Sequence, residues 1–191
     1  MKRLPEFSVH PFAPSGIFLM LFSMSRATAF SVVCVIVLHE LGHATAAILL
    51  KKRVMKLTLM PMGIKMKLSA ASSYAEEIIL AAAGPFINVL IIFFAPCFAC
   101  EKEISTFAII SLIVNILPMA TLDGGRIVKA ATAAIFDEPT SERVIRALSV
   151  ISLFFLWILA VYVFFYTAEN VTLLLFCSYI FAAYIIKNDE M

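Results

Sequence analysis

The chain has 191 residues, of which 62% are hydrophobic and only 15% charged, with a mean hydropathy of +0.99. Soluble domains carry an apolar share nearer one half, so this composition excludes an ordinary soluble globular protein and points to a multispanning membrane protein. The formal net charge of +2 says little in bulk, but no Lys/Arg run is interleaved with aromatics, so no nucleic-acid partner is expected.

A bilayer core about 30 Å thick takes about 20 helical residues to cross, which allows the apolar stretches to be read as spans. Lys2 and Arg3 precede the first of them without Ala-x-Ala cleavage chemistry, so no removable signal peptide is expected. Residues 12–50 form one stretch too long for a single crossing, and Ser25-Arg26 is the natural turn within it. Two spans, about 12–25 and 28–50, follow from that break. His10, ahead of the first, reads as an interfacial residue.

Lys56-Leu57-Thr58-Leu59 and Ile64-Lys65-Met66-Lys67-Leu68 alternate polar with apolar around Pro61-Met62-Gly63, which predicts a short β-hairpin. Further spans are predicted at about 75–98, 104–121, 143–166 and 170–187. Glu101-Lys102-Glu103, residues 123–142 and Thr167-Ala168-Glu169-Asn170 separate them. The expectation is an all-α polytopic membrane protein of about six transmembrane helices with one hairpin, in a single domain over 1–191. Its core covers about 8–130, and the additional helices cover about 143–187.

Six crossings place both termini on one side. If that side is the cytoplasm, only Arg26 and Lys102 of the 15 basic residues lie outside. Lys51, Lys52, Arg53, Lys56, Lys65 and Lys67 then face the cytoplasm, where they read as an orientation signal at the lipid headgroups. Cys34, Cys97, Cys100 and Cys177 all lie in or beside apolar runs and read as small buried hydrophobes. Cys97-Phe98-Ala99-Cys100 has redox or zinc spacing but lacks a second pair.

Within the second span stands His39-Glu40-Leu41-Gly42-His43. Ionisable groups at membrane depth are costly and mark function. On a helix, residues four apart point only about 40° from one another, so His39 and His43 can chelate one ion from a single face. Glu40 stands beside them as the general base for a metal-bound water, the pattern of zinc metalloproteases. Catalytic zinc takes three protein ligands, so a third must come from elsewhere.

Asp123 is the foremost candidate, in Asn115-Ile116-Leu117-Pro118-Met119-Ala120-Thr121-Leu122-Asp123-Gly124-Gly125-Arg126. Pro118 breaks the helix, and Gly124-Gly125 permit a close backbone that turns the carboxylate inward. The plainer reading is an interfacial acid paired with Arg126. Counted back from Leu50, His43 lies about 10 Å and His39 about 17 Å inside the cytoplasmic end of their span, the end at which Asp123 also falls.

These residues resemble the site-2 protease family of intramembrane zinc metalloproteases, and most of all its sporulation branch, stage IV sporulation protein FB. The resemblance covers about residues 8–130 and rests on His39–His43, on Asn115–Arg126, on Gly84-Pro85-Phe86-Ile87-Asn88 and, weakly, on Val9-His10-Pro11. It implies zinc held by His39, His43 and Asp123, with Glu40 as base. The implied substrate is a membrane protein cut in or near a transmembrane or membrane-associated segment, such as a pro-sigma or anti-sigma factor, with membrane regulatory partners. Asn115 and Asn88 are implied in substrate binding or oxyanion stabilisation, Asn88 equally in an interhelical hydrogen bond. No nucleotide-binding CBS domain or PDZ domain of the kind found in relatives is expected within these residues.

A different class of reading is a metal transporter or sensor that passes an ion along the intramembrane His and Asp side chains. Glu40 has no evident transport role, and acids are scarce on the outer half of the spans. An inactive scaffold leaves the intact set of His39, Glu40, His43 and Asp123 unexplained.

Overall fold

The structure, a computed structural model, describes residues 6–9, 25–60, 63–68, 72–97, 101–167, 174–175, 177–178 and 180–182. The order is β1 (Glu6–Val9), α1 (Arg26–Leu49), β2 (Val54–Met60), β3 (Gly63–Leu68), α2 (Tyr74–Phe94), a 3-10 turn (Ala95–Cys97), α3 (Glu101–Ile116), α4 (Asp123–Ile135) and α5 (Glu138–Thr167). Among the described residues, three segments are long and apolar enough to cross a membrane: Arg26–Leu49, Tyr74–Cys97 and Glu138–Tyr166, as befits a membrane protein. The expected first crossing, the residues around His10, Cys100 and most of the expected last crossing lie outside the described residues. The chain divides into two compact units, Met1–Val114 and Asn115–Met191.

In the first unit, α1 starts where Ser25 caps it, its hydroxyl accepting from the Thr28 N–H at 3.2 Å. Its buried face, Val32, Val35, His39, Gly42, His43 and Ala46, recurs every three or four residues. The helix ends in a left-handed residue, Lys51 at φ 56°, with Lys51 N–H bonded to the Ile48 carbonyl and Lys52 N–H to the Ala47 carbonyl. That pair of bonds is the Schellman pattern, which glycine ordinarily serves. α2 opens with a capping box between Ser73 and Glu76, and Glu76 also pairs with Lys52 at 2.8 Å, which ties the start of α2 to the end of α1.

Small residues let α1 and α2 approach closely. A methyl added at Gly42 would lie 2.6 Å from Ile87 and 2.7 Å from the Ala83 carbonyl oxygen. Ala46, Ala47 and Leu80 form a core on one side of this contact, and Val35, Ile91, Ile104 and Ala108 bring α3 onto the other. The expected hairpin is present, with Lys56 opposite Lys67 and Leu59 opposite Ile64. A strand not expected from the sequence joins it: β1 runs parallel to β2, Glu6 opposite Lys56, giving a three-stranded sheet in the order β1-β2-β3. Four residues carry too little alternation to signal a strand; the Ser8–Thr58 hydroxyl contact at 2.9 Å and the Lys56–Glu6 pair at 3.5 Å accompany its pairing.

In the second unit the separator expected over 123–142 contains a helix, α4, and α5 begins five residues before its expected start. Gly124-Gly125 at the head of α4 argues against a helix by propensity, yet Ala130 and Ala133 bury its apolar face and override it. α3 stops at Ile116, short of Pro118. Thr132 and Ser141 pair their hydroxyls at 2.8 Å, and Ser141 donates to the Lys129 carbonyl at 2.6 Å, joining α4 to α5. Met119, Leu153, Leu156, Ala160, Cys177 and Ile180 make this unit's apolar core.

Candidate metal centre

The helix spacing of His39 and His43 brings their Nε2 atoms to 3.1 Å in a buried position. Two imidazole nitrogens on one tetrahedral zinc, each about 2.0–2.1 Å from the ion, stand about 3.3 Å apart, so this separation is close to the bite a two-histidine chelate needs. The rings are nearly perpendicular, at 80°, so one does not stack on the other.

Each ring is held by its other nitrogen. His43 Nδ1 donates to the Leu80 carbonyl on α2 at 2.7 Å, which in the neutral ring leaves Nε2 without hydrogen and facing His39. His39 Nδ1 lies 3.1 Å from the side-chain amide of Asn88, also on α2. Fully buried, Asn88 reaches on to Ser111 of α3, donating to its hydroxyl at 2.9 Å. Asn88 therefore makes an interhelical bond and also touches a histidine of the predicted pair.

Room at the two Nε2 atoms is kept by Gly84. A methyl there would collide with His43 Nε2 and stand 2.6 Å from His39 Nε2. The sequence offers one clue to this, a helix-weakening glycine next to a proline in an otherwise apolar helix, and no clue at all to the Leu80 carbonyl. Glu40 is half-buried on α1, one residue from His39 and three from His43. Two soft-to-borderline nitrogen donors, both accessible to one ion beside a space without a side chain, fit a divalent transition metal.

In the second unit, Asp123 is the buried first residue of α4, where a carboxylate is favoured by the helix N-terminus. Arg126 approaches it at 3.4 Å, so the ion pair expected by the plainer reading is present. The six residues before Asp123 fold tightly: Met119 is fully buried, Leu122 N–H bonds the Met119 carbonyl at 2.9 Å, and Ala120 N–H bonds Ser149 Oγ at 2.9 Å. Ser149 in turn donates to the Ile145 carbonyl at 2.7 Å. Methyls on Gly124 and Gly125 would strike the backbone of Ile116-Leu117 and Met119-Ala120, so both glycines are demanded by close approach. Asn115, in the last turn of α3, is half-buried.

The model of peptidase family M50 matches residues 103–159, which include the Leu-Asp-Gly-Gly segment. Stage IV sporulation protein FB of Bacillus subtilis is 29% identical over 129 residues, covering 62% of this chain; the chain spans 45% of that relative. The site-2 protease of Methanocaldococcus jannaschii shares the fold, with a TM-score of 0.67 at 17% identity over 94% of this chain and 90% of that one. Motifs, fold and matches agree in likening the chain to peptidase family M50 and, in fold, to a site-2 protease.

Proposed function

We propose that the chain is a zinc-dependent intramembrane endopeptidase that hydrolyses a peptide bond in or near a transmembrane segment of a membrane protein. The observation that carries this reading is the buried pair of Nε2 atoms, 3.1 Å apart beside Gly84. In this proposal His39 and His43 hold zinc and Asp123 supplies the third protein ligand, as the two-histidine, one-carboxylate donor set of zinc hydrolases requires. Bound zinc would supply Lewis acidity toward the scissile carbonyl and a lowered pKa for water.

Glu40 takes the proton of the attacking water and delivers it to the leaving amine, a role suited to a carboxylate one helical step from the ligand pair. Arg126 holds the Asp123 carboxylate in place from the next turn of α4. Asn115 is the candidate to stabilise the oxyanion or to hold substrate backbone. A helical substrate shelters its amides, so it must unwind locally. β3, at one end of the described sheet, offers an edge to which an extended segment adds by main-chain hydrogen bonds. Pro-sigma and anti-sigma factors with membrane-associated segments are the substrate classes we favour, and the charge bias supports cytoplasmic termini.

Purified Glu40→Gln should retain zinc yet lose cleavage of a reconstituted membrane substrate by about 10²–10⁴-fold, the span of general-base effects. Undiminished cleavage by that variant would remove the assignment. Comparing membrane proteins by mass spectrometry in cells expressing the wild type or this variant identifies the substrate and its cut.

A further inference from the structure

The two histidines of the pair are not held alike. A carbonyl oxygen can only accept, so the Leu80 contact fixes the hydrogen of His43 on Nδ1 and leaves Nε2 bare. His39 faces a primary amide, which can either donate or accept. Asn88 points its nitrogen at His39 Nδ1, 3.1 Å away, and sends another N–H to Ser111. An amide nitrogen facing Nδ1 requires that ring nitrogen to be bare. In a neutral imidazole the hydrogen then sits on Nε2, on the face where an ion would bind. Asn88 Oδ1 is meanwhile buried without a hydrogen-bond partner, a costly state for an amide oxygen.

A half-turn of the same amide resolves both. With Oδ1 toward His39, the oxygen accepts from Nδ1–H, the Nε2 lone pair is released, and the ring gains the same arrangement that Leu80 gives His43. From this we infer that Asn88 is a positioning residue that sets which nitrogen of His39 carries hydrogen: its nitrogen toward the ring puts the hydrogen on Nε2, and its oxygen toward the ring puts it on Nδ1 and opens Nε2 to a metal. The inference rests on the metal-ligand reading of His39 proposed above and assigns to Asn88 a role other than contact with substrate. No change in the number of bound protons is involved, only their placement on the ring and the orientation of one side chain.

The test needs no substrate. Zinc affinity of detergent-purified full chain is measured by chelator competition, and the cobalt-loaded protein by its visible spectrum. Asn88→Leu, which has no acceptor, should weaken zinc binding by about 10–100-fold, as loss of such outer partners does. Asn88→Asp, an acceptor in either orientation, should bind at least as tightly as wild type and keep the cobalt spectrum. Ser111→Ala removes the Asn88 contact to α3 while keeping the amide beside His39, and should stay near wild type. Nitrogen-15 histidine spectra of the zinc-loaded wild type should show His39 carrying its hydrogen on Nδ1.

Should Asn88→Leu fail to fold, Asn88→Asp and the spectra still decide. A folded Asn88→Asp with lost affinity, Ser111→Ala as damaging as Asn88→Leu, or a zinc-loaded His39 without hydrogen on Nδ1 overturns the inference while leaving the metal site standing. A wild-type chain that binds no divalent metal, or His39→Ala that binds as well as wild type, overturns both.

Discussion

The two units hold their candidate site residues by opposite means. In the first, His39 and His43 are oriented by side-chain bonds to residues 49 and 37 positions away, and the space before them is kept by the missing side chain of Gly84. In the second, Asp123 is set by a short loop whose backbone folds on itself and on the two glycines that follow it. The contrast separates chemistry from stability: substitution in the first unit should disable the site while sparing the fold, and substitution in the second should damage both together.

The sharpest trial pairs two glycine-to-alanine changes. Gly84→Ala puts a methyl against imidazole atoms, and alanine favours a helix over glycine by about 1 kcal/mol, so metal binding and cleavage should be lost with thermal stability kept or raised. Gly125→Ala drives a methyl into the Met119 carbonyl and should lower stability by about 1–3 kcal/mol along with activity. Thermal melts and metal titrations of both variants check the pair; a Gly84→Ala chain that unfolds, or a Gly125→Ala chain of full stability, breaks the contrast.

A smaller effect is expected at Ser149, whose hydroxyl anchors the loop before Asp123 to α5. Ser149→Ala leaves the Ala120 N–H without its acceptor and should cost about 1–3 kcal/mol by denaturant or thermal unfolding, with turnover reduced in step. Unchanged turnover in a destabilised variant would show that the loop holds its shape without the anchor.

The smallest effect concerns Asp137, between α4 and α5. Hydrogen bonds from the side chain and backbone of Thr140 hold its carboxyl below the usual range. A lowered native value means its contribution is complete above the ordinary carboxylate range and is lost as pH falls through the lowered one. Asp137→Asn should therefore flatten the acid limb of melting temperature against pH slightly. A limb of unchanged slope would remove that role.

Much of the first unit was legible because its signals are local. The four-residue spacing of His39 and His43, the alternation of the hairpin, and the Ser25-Arg26 break at the head of α1 each sit within a few residues of what they specify. The Leu80 carbonyl carries no residue signature, and Asn88 pointed equally to substrate or to a neighbouring helix until its partners were in view. In the second unit, Pro118 and Gly124-Gly125 announced a sharp turn before Asp123, but the same glycines hid α4, whose packing onto α5 depends on Thr132 and Ser141 rather than on propensity.

The sheet order carries a consequence for assembly. β2 and β3 meet through a two-residue connection and close quickly, whereas β1, synthesised first, reaches β2 only after α1 has crossed over between them. The earliest strand is thus the last to be placed. Until it docks, the edge of β2 is open; afterwards β1 covers it. Deleting residues 6–9 should bare the β2 edge and make the protein more prone to pair with a second copy.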